Sequence, residues 1–154
     1  MSSVLFVCTG NTCRSPLAEA LLRLEAARRG VDIEVASAGT FAAAGAPASQ
    51  PSILVAGRRG ADLSSHRSRA LDREVLAAAD LVLAMTPAHL GAVRSGHGRE
   101  LNAGLVTDYL PADHPMHSAP VADPFGGSAD QYEQVADILE QCVVALLDAM
   151  AGGR

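Results

Sequence analysis

The sequence contains no lysine and no tryptophan, and it has only three cysteines. All twelve basic residues are therefore arginines, which excludes a Schiff-base lysine and the phosphate-binding lysine of a Walker P-loop. No positively charged leader precedes the first apolar run, Val4 to Cys8, and an odd number of cysteines does not suit a disulfide scaffold. We therefore expect a protein that works in the reducing environment of the cytoplasm.

Long apolar runs are also missing. The longest uncharged stretch, residues 35–57, contains Pro47 and Pro51, so it does not predict a membrane-spanning helix. The net charge of −5 does not suit a protein that binds nucleic acid. Hydrophobic residues make up 49% of the chain and charged residues 19%, which predicts one folded domain over residues 1–154.

Short apolar segments alternate along the chain with segments of helical periodicity. The predicted strands are 4–7, 33–37, 81–85 and 105–106. The first predicted helix begins at Ser15-Pro16, with Ser15 as N-cap, and ends at Gly30. Further helices are predicted at 51–59, at 71–79, between 86 and 96, and after 128. Alternation of this kind predicts an α/β fold with a parallel sheet, in which ligands bind beyond the carboxyl ends of the strands.

The loop after the first predicted strand has the sequence CTGNTCRS, residues 8–15. Five residues separate Cys8 from Arg14, and Gly10 and Asn11 are the residues that best tolerate the positive φ that a tight loop requires. Backbone N–H groups at the start of a helix form an anion-binding cradle, and Arg14 can donate to two oxygens of a phosphate. The same groups favour a thiolate at Cys8, which predicts a nucleophile beneath a bound phosphate.

Cys8 and its neighbours have two other interpretations, a structural role and a metal site. Cys8 could be a buried cysteine at the end of a strand, with Arg14 at the surface. A metal site at Cys8 and Cys13 would need a second pair of ligands at suitable spacing, and the sequence contains none. We therefore expect neither a metal nor a cofactor. Cys142 lies on an apolar helical stripe, which predicts a packing role.

The segment VLFVCTGNTCRSPLAE, residues 4–19, resembles the active-site segment of the low-molecular-weight protein tyrosine phosphatase family. The resemblance extends to residues 37–39, 65–69, 79–85 and 123–128, in family order. It implies a single three-layer, doubly wound domain with a four-stranded parallel sheet flanked by about five helices. It also implies a phosphatase for phosphorylated protein side chains that acts through a cysteinyl-phosphate.

The resemblance assigns roles to individual residues. Cys8 matches the nucleophile, Arg14 the phosphate-binding arginine and Asp123 the general acid. The residues that match a supporting hydrogen-bond network are Asn11, Ser15, Ser37 and His66. The loop residues expected to bind phosphate are Thr9, Gly10, Asn11, Thr12, Cys13 and Ser15. Cys13 could also form a reversible disulfide with Cys8 under oxidation.

Asp123 lies in a long predicted loop, residues 110–128, which could carry it to the phosphate. Hydrolysis through a cysteinyl-phosphate needs a proton for the leaving group and then a base for water, and one carboxyl group can supply both. Pro124 stiffens the approach, and Gly126-Gly127 allows the backbone to turn away.

The substrate depends on the residues around this loop. Phe6 lies in the first predicted strand, so Phe41 and Phe125 are the candidate pocket walls, and either could stack on an aromatic ring or a guanidinium. Many tyrosine-specific members carry an aliphatic residue at the position of Thr12, and several carry an aromatic residue at that of Gly126. The sequence is more similar to the bacterial protein arginine phosphatase branch, so we favour phosphoarginine over phosphotyrosine.

Two further functions share the scaffold. A thioredoxin-coupled arsenate reductase needs additional redox cysteines beyond the third strand, where this chain has Thr86, Ala88 and His89. A non-catalytic phosphate-binding module would keep the cradle without needing Asp123. We expect a phosphorylated protein or peptide as partner, and a monomer or weak dimer.

Overall fold

A computed structural model of the chain describes residues 2–95 and 101–152. Its four strands are β1 (Ser2–Cys8), β2 (Ile33–Gly39), β3 (Leu81–Ala84) and β4 (Ala103–Leu105). Its α-helices are α1 (Arg14–Arg29), α2 (Gln50–Arg58), α3 (Arg73–Ala77), α4 (Pro87–Ser95) and α5 (Ala129–Gly152), and a short 3-10 helix follows β4 at Val106–Tyr109. The predicted α/β class is confirmed.

The four strands form one sheet in the order β2-β1-β3-β4, with every neighbouring pair parallel. Strand β1 lies between β2 and β3, and its residues Val4 to Cys8 are all buried. Its register pairs Cys8 with Gly39 on β2 and Val7 with Ala84 on β3. The carboxyl ends of these three strands therefore meet at one edge of the sheet, where the loop after Cys8 begins.

Alternate residues of β1 serve two different cores. Val4, Phe6 and Cys8 face one side of the sheet, where they pack with residues of α1, α2 and α5. Leu5 and Val7 face the opposite side, where they pack with Leu76 of α3 and Val93 of α4. Because both faces of the sheet are covered by helices, the buried part of β1, Val4 to Cys8, is apolar at every position rather than at every second one. This arrangement confirms the predicted doubly wound layers.

Several element boundaries differ from their predicted positions. The prediction that Ser15 caps the first helix is wrong, because α1 already begins at Arg14 and Cys13 is its N-cap. Helix α3 starts after Asp72, whose Oδ1 accepts from the N–H of Val75 (2.8 Å). Strand β4 ends at Leu105, because Asp108 Oδ2 accepts from Leu105 N (2.9 Å) and turns the chain into the 3-10 helix.

The end of α1 is as predicted. Gly30 adopts a φ of 67° and stops the helix, as expected from glycine at this position. The predicted end of α4 near Gly96 lies outside the described residues. None of the helices within 2–95 and 101–152 combines the length and the apolar character needed to cross a membrane.

Candidate active site

Cys8 is the last residue of β1 and is buried beneath the loop that leads into α1. Its Sγ lies 2.9 Å from the hydroxyl oxygen of Ser15, in the first turn of that helix. Among the described residues, the backbone N–H groups of residues 10 to 15 have no hydrogen-bond acceptor. Unpaired amides at a helix start, next to a sulfur atom, form a site that can bind an anion.

Asn11 holds this loop in shape from inside. Its φ of 57° lies in the left-handed region, whereas Gly10 does not adopt a positive φ, so the expectation for Gly10 was wrong. The Asn11 side-chain amide donates to the hydroxyls of Ser15 and Ser37 (2.9 Å each). Because Ser15 Oγ accepts from Asn11, its own proton is available to Cys8 Sγ.

Residues far along the chain complete this network. His66 Nε2 lies 2.8 Å from the Asn11 carbonyl oxygen, and the backbone N–H of Arg69 donates to Asn11 Oδ1 (3.0 Å). The Ser37 hydroxyl donates in turn to a carboxylate oxygen of Glu19 (2.5 Å). The structure thus places Ser37 and His66, the two predicted support residues that lie outside the loop, against it. It also adds Glu19 and Arg69, which lie inside the resembling segments but had received no role.

Gly39 allows the loop to lie close to β2. A Cβ atom at this position would clash with the Thr9 carbonyl oxygen and would come within 2.8 Å of the Ala42 side chain and 3.0 Å of the Asn11 nitrogen. The N–H groups of Thr40 and Phe41 donate to the carbonyls of Cys8 and Thr9 (2.9 and 3.0 Å). A side chain at Gly39 would therefore push the loop away from the sheet edge.

Arg14 is buried, with 5% of its surface exposed, although it carries a full charge. Its guanidinium donates to the carbonyl oxygen of Val121 (3.0 Å) and lies 3.7 Å from a carboxylate oxygen of Asp123. Val121 is itself anchored to the end of β3, since its N–H donates to the Met85 carbonyl (2.9 Å). These contacts connect the start of α1 to the loop that carries Asp123.

Asp123 stands at the rim of the site with more than half of its side chain exposed. Its Oδ1 accepts from the backbone N–H of Phe125 (3.0 Å), which fixes its position within the loop. Gly126, with a φ of 76°, turns the chain away towards α5, as predicted from the glycine pair. The carboxyl group is therefore both accessible and held in place.

A cleft of about 350 Å³ connects these groups. Its walls are formed by loop residues, by two alanines after β2 and by the Asp123 loop, namely Cys8, Thr9, Gly10, Thr12, Cys13, Arg14, Ala43, Ala46, Asp123 and Phe125. Phe125 is 73% exposed at its rim, whereas Phe41 is 89% exposed and is not among these residues. Phe41 is therefore neither a core residue nor a wall of this cleft.

The other two cysteines have different surroundings. Cys13 Sγ is buried 3.5 Å from the Tyr132 hydroxyl and 3.4 Å from that of Ser49. Cys142 is fully buried on α5 among apolar residues, and burial raises the pKa of its thiol to about 12. Cys142 therefore packs in the core, as its position on the apolar stripe predicts.

His89, on α4, is a buried residue of the site that had received no functional role from the sequence. Its Nε2 lies 2.8 Å from the Thr9 hydroxyl and its Nδ1 lies 3.0 Å from the Thr86 hydroxyl. Burial, together with the nearby charge of Arg14, lowers the pKa of His89 to about 4, and Asp123 opposes this shift. A threonine N-cap followed three residues later by histidine is the local signal that could have indicated it.

Within residues 2–95 and 101–152, no group of three or more histidine, cysteine or acidic side chains is arranged to hold a metal ion. The cleft itself offers a thiol, a guanidinium, hydroxyls, backbone amides and a carboxyl group. Together they can bind a dianion, attack it from below and exchange a proton with it from the rim.

Comparisons with known proteins agree with this geometry. Residues 3–153 match the family model described as low molecular weight phosphotyrosine protein phosphatase. A protein-arginine-phosphatase from Bacillus subtilis (strain 168) is 41% identical over 98% of this chain and 98% of its own length. The probable low molecular weight protein-tyrosine-phosphatase AmsI of Erwinia amylovora is 30% identical over 98% of this chain and 99% of its own.

A solved structure bears on the cysteine. It is that of a YwlE arginine phosphatase variant whose active-site serine is phosphorylated, and it superposes with a TM-score of 0.90. That protein is 38% identical to this chain, and the match covers 99% of this chain and 97% of the other. The likeness extends over the whole fold, including the strand, loop and helix around Cys8.

Proposed function

The chain belongs to the low molecular weight phosphotyrosine protein phosphatase family and is a cysteine-dependent protein phosphatase, and we propose that it acts on phosphoarginine in proteins. The observation that carries the phosphatase chemistry is Cys8 Sγ, hydrogen-bonded to Ser15 beneath a loop of unpaired backbone amides. The choice of phosphoarginine is supported by Thr12, whose side chain lines the same cleft.

In the first step, the proposed nucleophile is the thiolate of Cys8. The amides of residues 10 to 15 and the Arg14 guanidinium bind the phosphoryl oxygens and orient the phosphorus above Sγ. An S–P bond forms while the P–N bond to the substrate guanidine breaks, and its electron pair stays on nitrogen. The protonated carboxyl group of Asp123 supplies a proton to that nitrogen, so the arginine does not have to leave as a guanidine anion.

In the second step, water replaces the departed arginine. The Asp123 carboxylate takes a proton from the water as its oxygen attacks phosphorus, and the S–P bond breaks. The Ser15 hydroxyl, which can donate to Sγ, stabilises the thiolate as it leaves. Inorganic phosphate is released, and both the thiolate and the protonated Asp123 are restored for the next cycle.

Individual residues at the cleft support a guanidinium over a phenol ring. Thr12 presents a hydroxyl that can accept from a guanidinium N–H, whereas an aliphatic side chain would offer only an apolar contact to a ring. Phe125 at the rim can stack on a planar guanidinium, and Gly126, the next residue, provides no second aromatic side chain there. The similarity to protein-arginine-phosphatases adds to this support.

Two peptides that differ only in the modified residue would test the substrate. The purified chain, with EDTA present, should hydrolyse a phosphoarginine peptide with a kcat/KM at least about tenfold above that for the matching phosphotyrosine peptide. Thr12→Ile should lower or reverse this ratio, and Thr12→Ser, which keeps the hydroxyl, should preserve it.

Other outcomes would contradict the proposal in different ways. A wild-type preference for phosphotyrosine would favour a tyrosine phosphatase with the same mechanism. Phosphate binding without release of phosphate from either peptide would point to a non-catalytic binding module. Thioredoxin-dependent reduction of arsenate in the absence of phosphatase activity would point to an arsenate reductase.

We further propose that the enzyme works in the cytoplasm as a monomer or weak dimer. All three cysteines are free, and a nucleophilic thiol survives best where the medium is reducing. Every residue assigned here to the chemistry comes from one chain, so the reaction needs no second copy. Light scattering over a range of concentrations would test the oligomeric state.

A further inference from the structure

A row of three polar side chains leads from the start of α4 to the edge of the cleft above Cys8. The Thr86 hydroxyl lies 3.0 Å from His89 Nδ1, and His89 Nε2 lies 2.8 Å from the hydroxyl of Thr9. Thr9 follows Cys8 directly and lines the cleft, whereas His89 is buried behind it. The mechanism proposed above uses neither His89 nor the Thr9 hydroxyl.

The position of Thr86 explains how this row can be oriented. Its Oγ1 accepts from the backbone N–H of His89 (3.3 Å), as an N-cap residue does, so its own proton can be donated to His89 Nδ1. The proton of a neutral imidazole then lies on Nε2 and is donated to Thr9 Oγ1. In this arrangement Thr9 Oγ1 accepts from His89, so the proton of the Thr9 hydroxyl is free to be donated into the cleft.

The reverse arrangement would point a lone pair of Thr9 at the cleft instead. A bound phosphoryl group favours the first arrangement, because its oxygens attract a proton and repel a lone pair. Burial and the neighbouring Arg14 lower the pKa of His89 to about 4 against the opposing effect of Asp123, so the ring is neutral at neutral pH. A neutral ring has one donor and one acceptor, which is what the bonds to Thr86 and Thr9 require.

We propose that His89 is a positioning residue that orients the Thr9 hydroxyl as an additional donor to the phosphoryl group. This rests on the proposed phosphatase function of the cleft and extends it, since the donor is a side chain outside the amides and Arg14. His89 touches no substrate atom and acts through Thr9, while Thr86 sets the direction of the chain of bonds.

Inorganic phosphate is a suitable probe, because it can be titrated as a competitive inhibitor and by calorimetry without turnover. Thr9→Val keeps the shape of the side chain and removes the hydroxyl, and it should weaken phosphate binding by about tenfold, the effect of losing one hydrogen bond to an anion. Thr9→Ser restores the hydroxyl and should bind within about twofold of wild type. Thr9 is exposed, so these variants should fold.

His89→Gln tests the coupling. Alone it should weaken phosphate binding by several-fold, but in the Thr9→Val background it should have little further effect, because the donor that it orients is already absent. A purely structural role for His89 would weaken binding equally in both backgrounds. Urea denaturation shows whether His89→Gln folds; if it does not, the comparison of Thr9→Val with Thr9→Ser decides.

The role of His89 and the proposed reaction can be contradicted separately. Equal phosphate affinity for wild type and Thr9→Val, or additive effects of the two substitutions, would overturn the role of His89 while leaving the phosphatase proposal intact. A wild-type protein that binds phosphate but releases none from any substrate would overturn the proposed reaction. The phosphate affinities of the Thr9 and His89 variants would still test the orientation of the Thr9 hydroxyl.

Discussion

Two buried cysteines mark two regions with opposite chemistry. Cys8 ends β1, where Ser15 lies at hydrogen-bonding distance and the start of α1 offers unpaired amides. Cys142 lies in the middle of α5, in the core formed by Leu139, Val143 and their neighbours. The two thiols are almost equally shielded from solvent, with 2% and 0% exposure.

The difference between these regions is the supply of donors. Apolar surroundings disfavour a thiolate at Cys142, so the pKa of this thiol rises to about 12. At Cys8, a hydroxyl and the positive end of a helix can stabilise the charged sulfur. Burial alone therefore does not decide whether a cysteine reacts; the polar groups that share its surroundings do.

Replacing the two cysteines one at a time should give the largest difference in activity. Cys8→Ser should lower kcat by at least about 10³-fold, because the nucleophile is lost, and should leave phosphate binding in place. Steady-state assays with a phosphoarginine peptide and phosphate titration would measure both effects. Cys142→Ala is the matched control, and its kcat should stay within about twofold of wild type. Turnover by Cys8→Ser at the wild-type rate would contradict the mechanism.

Asp123→Asn should have the next largest effect. Removing a general acid costs about 10²- to 10⁴-fold, and the loss should be larger for substrates with poor leaving groups than for p-nitrophenyl phosphate. The measurement is kcat/KM across leaving groups of graded basicity. Asp113→Asn, an exposed carboxylate in the same long loop, should change nothing. A uniform loss for all leaving groups would argue against proton donation by Asp123.

Alanine substitutions at two glycines should change the stability of the fold in opposite directions. Gly39→Ala should destabilise the fold by about 1–3 kcal/mol, because the added methyl group meets the phosphate loop at Thr9 and Asn11. The same substitution at Gly57, in α2 with open space around it, should stabilise the fold by about 0.5–1 kcal/mol. Urea denaturation would measure both. Equal effects would mean that the loop is not held against the sheet at Gly39.

Acidification should have a modest effect, which we assign to His89. The pKa of His89 is lowered from 6.5 to about 4 in the folded protein, so the unfolded chain binds a proton that the folded chain resists. As the pH falls from 7 to 5, this residue should therefore cost about 1–2 kcal/mol of folding free energy.

Denaturation of wild type and His89→Gln at both pH values would isolate this contribution. The wild-type protein should lose more stability on acidification than the variant does, by the amount assigned to His89. Parallel losses in the two proteins would mean that His89 titrates normally and that its environment is not as described.

Part of this molecule could be predicted from local patterns. The apolar run at Val4–Val7, the loop CTGNTCRS and the glycine stop at Gly30 each depend on neighbouring residues only, and the structure has them where periodicity predicts. Boundaries were less accurate. Ser15 lies within α1 rather than at its cap, and the hydrogen bond that the Asp72 side chain accepts from Val75 sets the start of α3 at Arg73. Phe41, expected as a pocket wall, is exposed and is not among the residues that line the cleft.

The sequence alone determined the strand, loop and helix that bring Cys8 and Arg14 together, because these residues are neighbours and their geometry is local. Only the tertiary structure decided that Asp123, His66 and His89 meet this loop, since the order β2-β1-β3-β4 and its register bring distant segments to one edge of the sheet. Local periodicity contains no information about that register, which depends on the packing of both faces of the sheet.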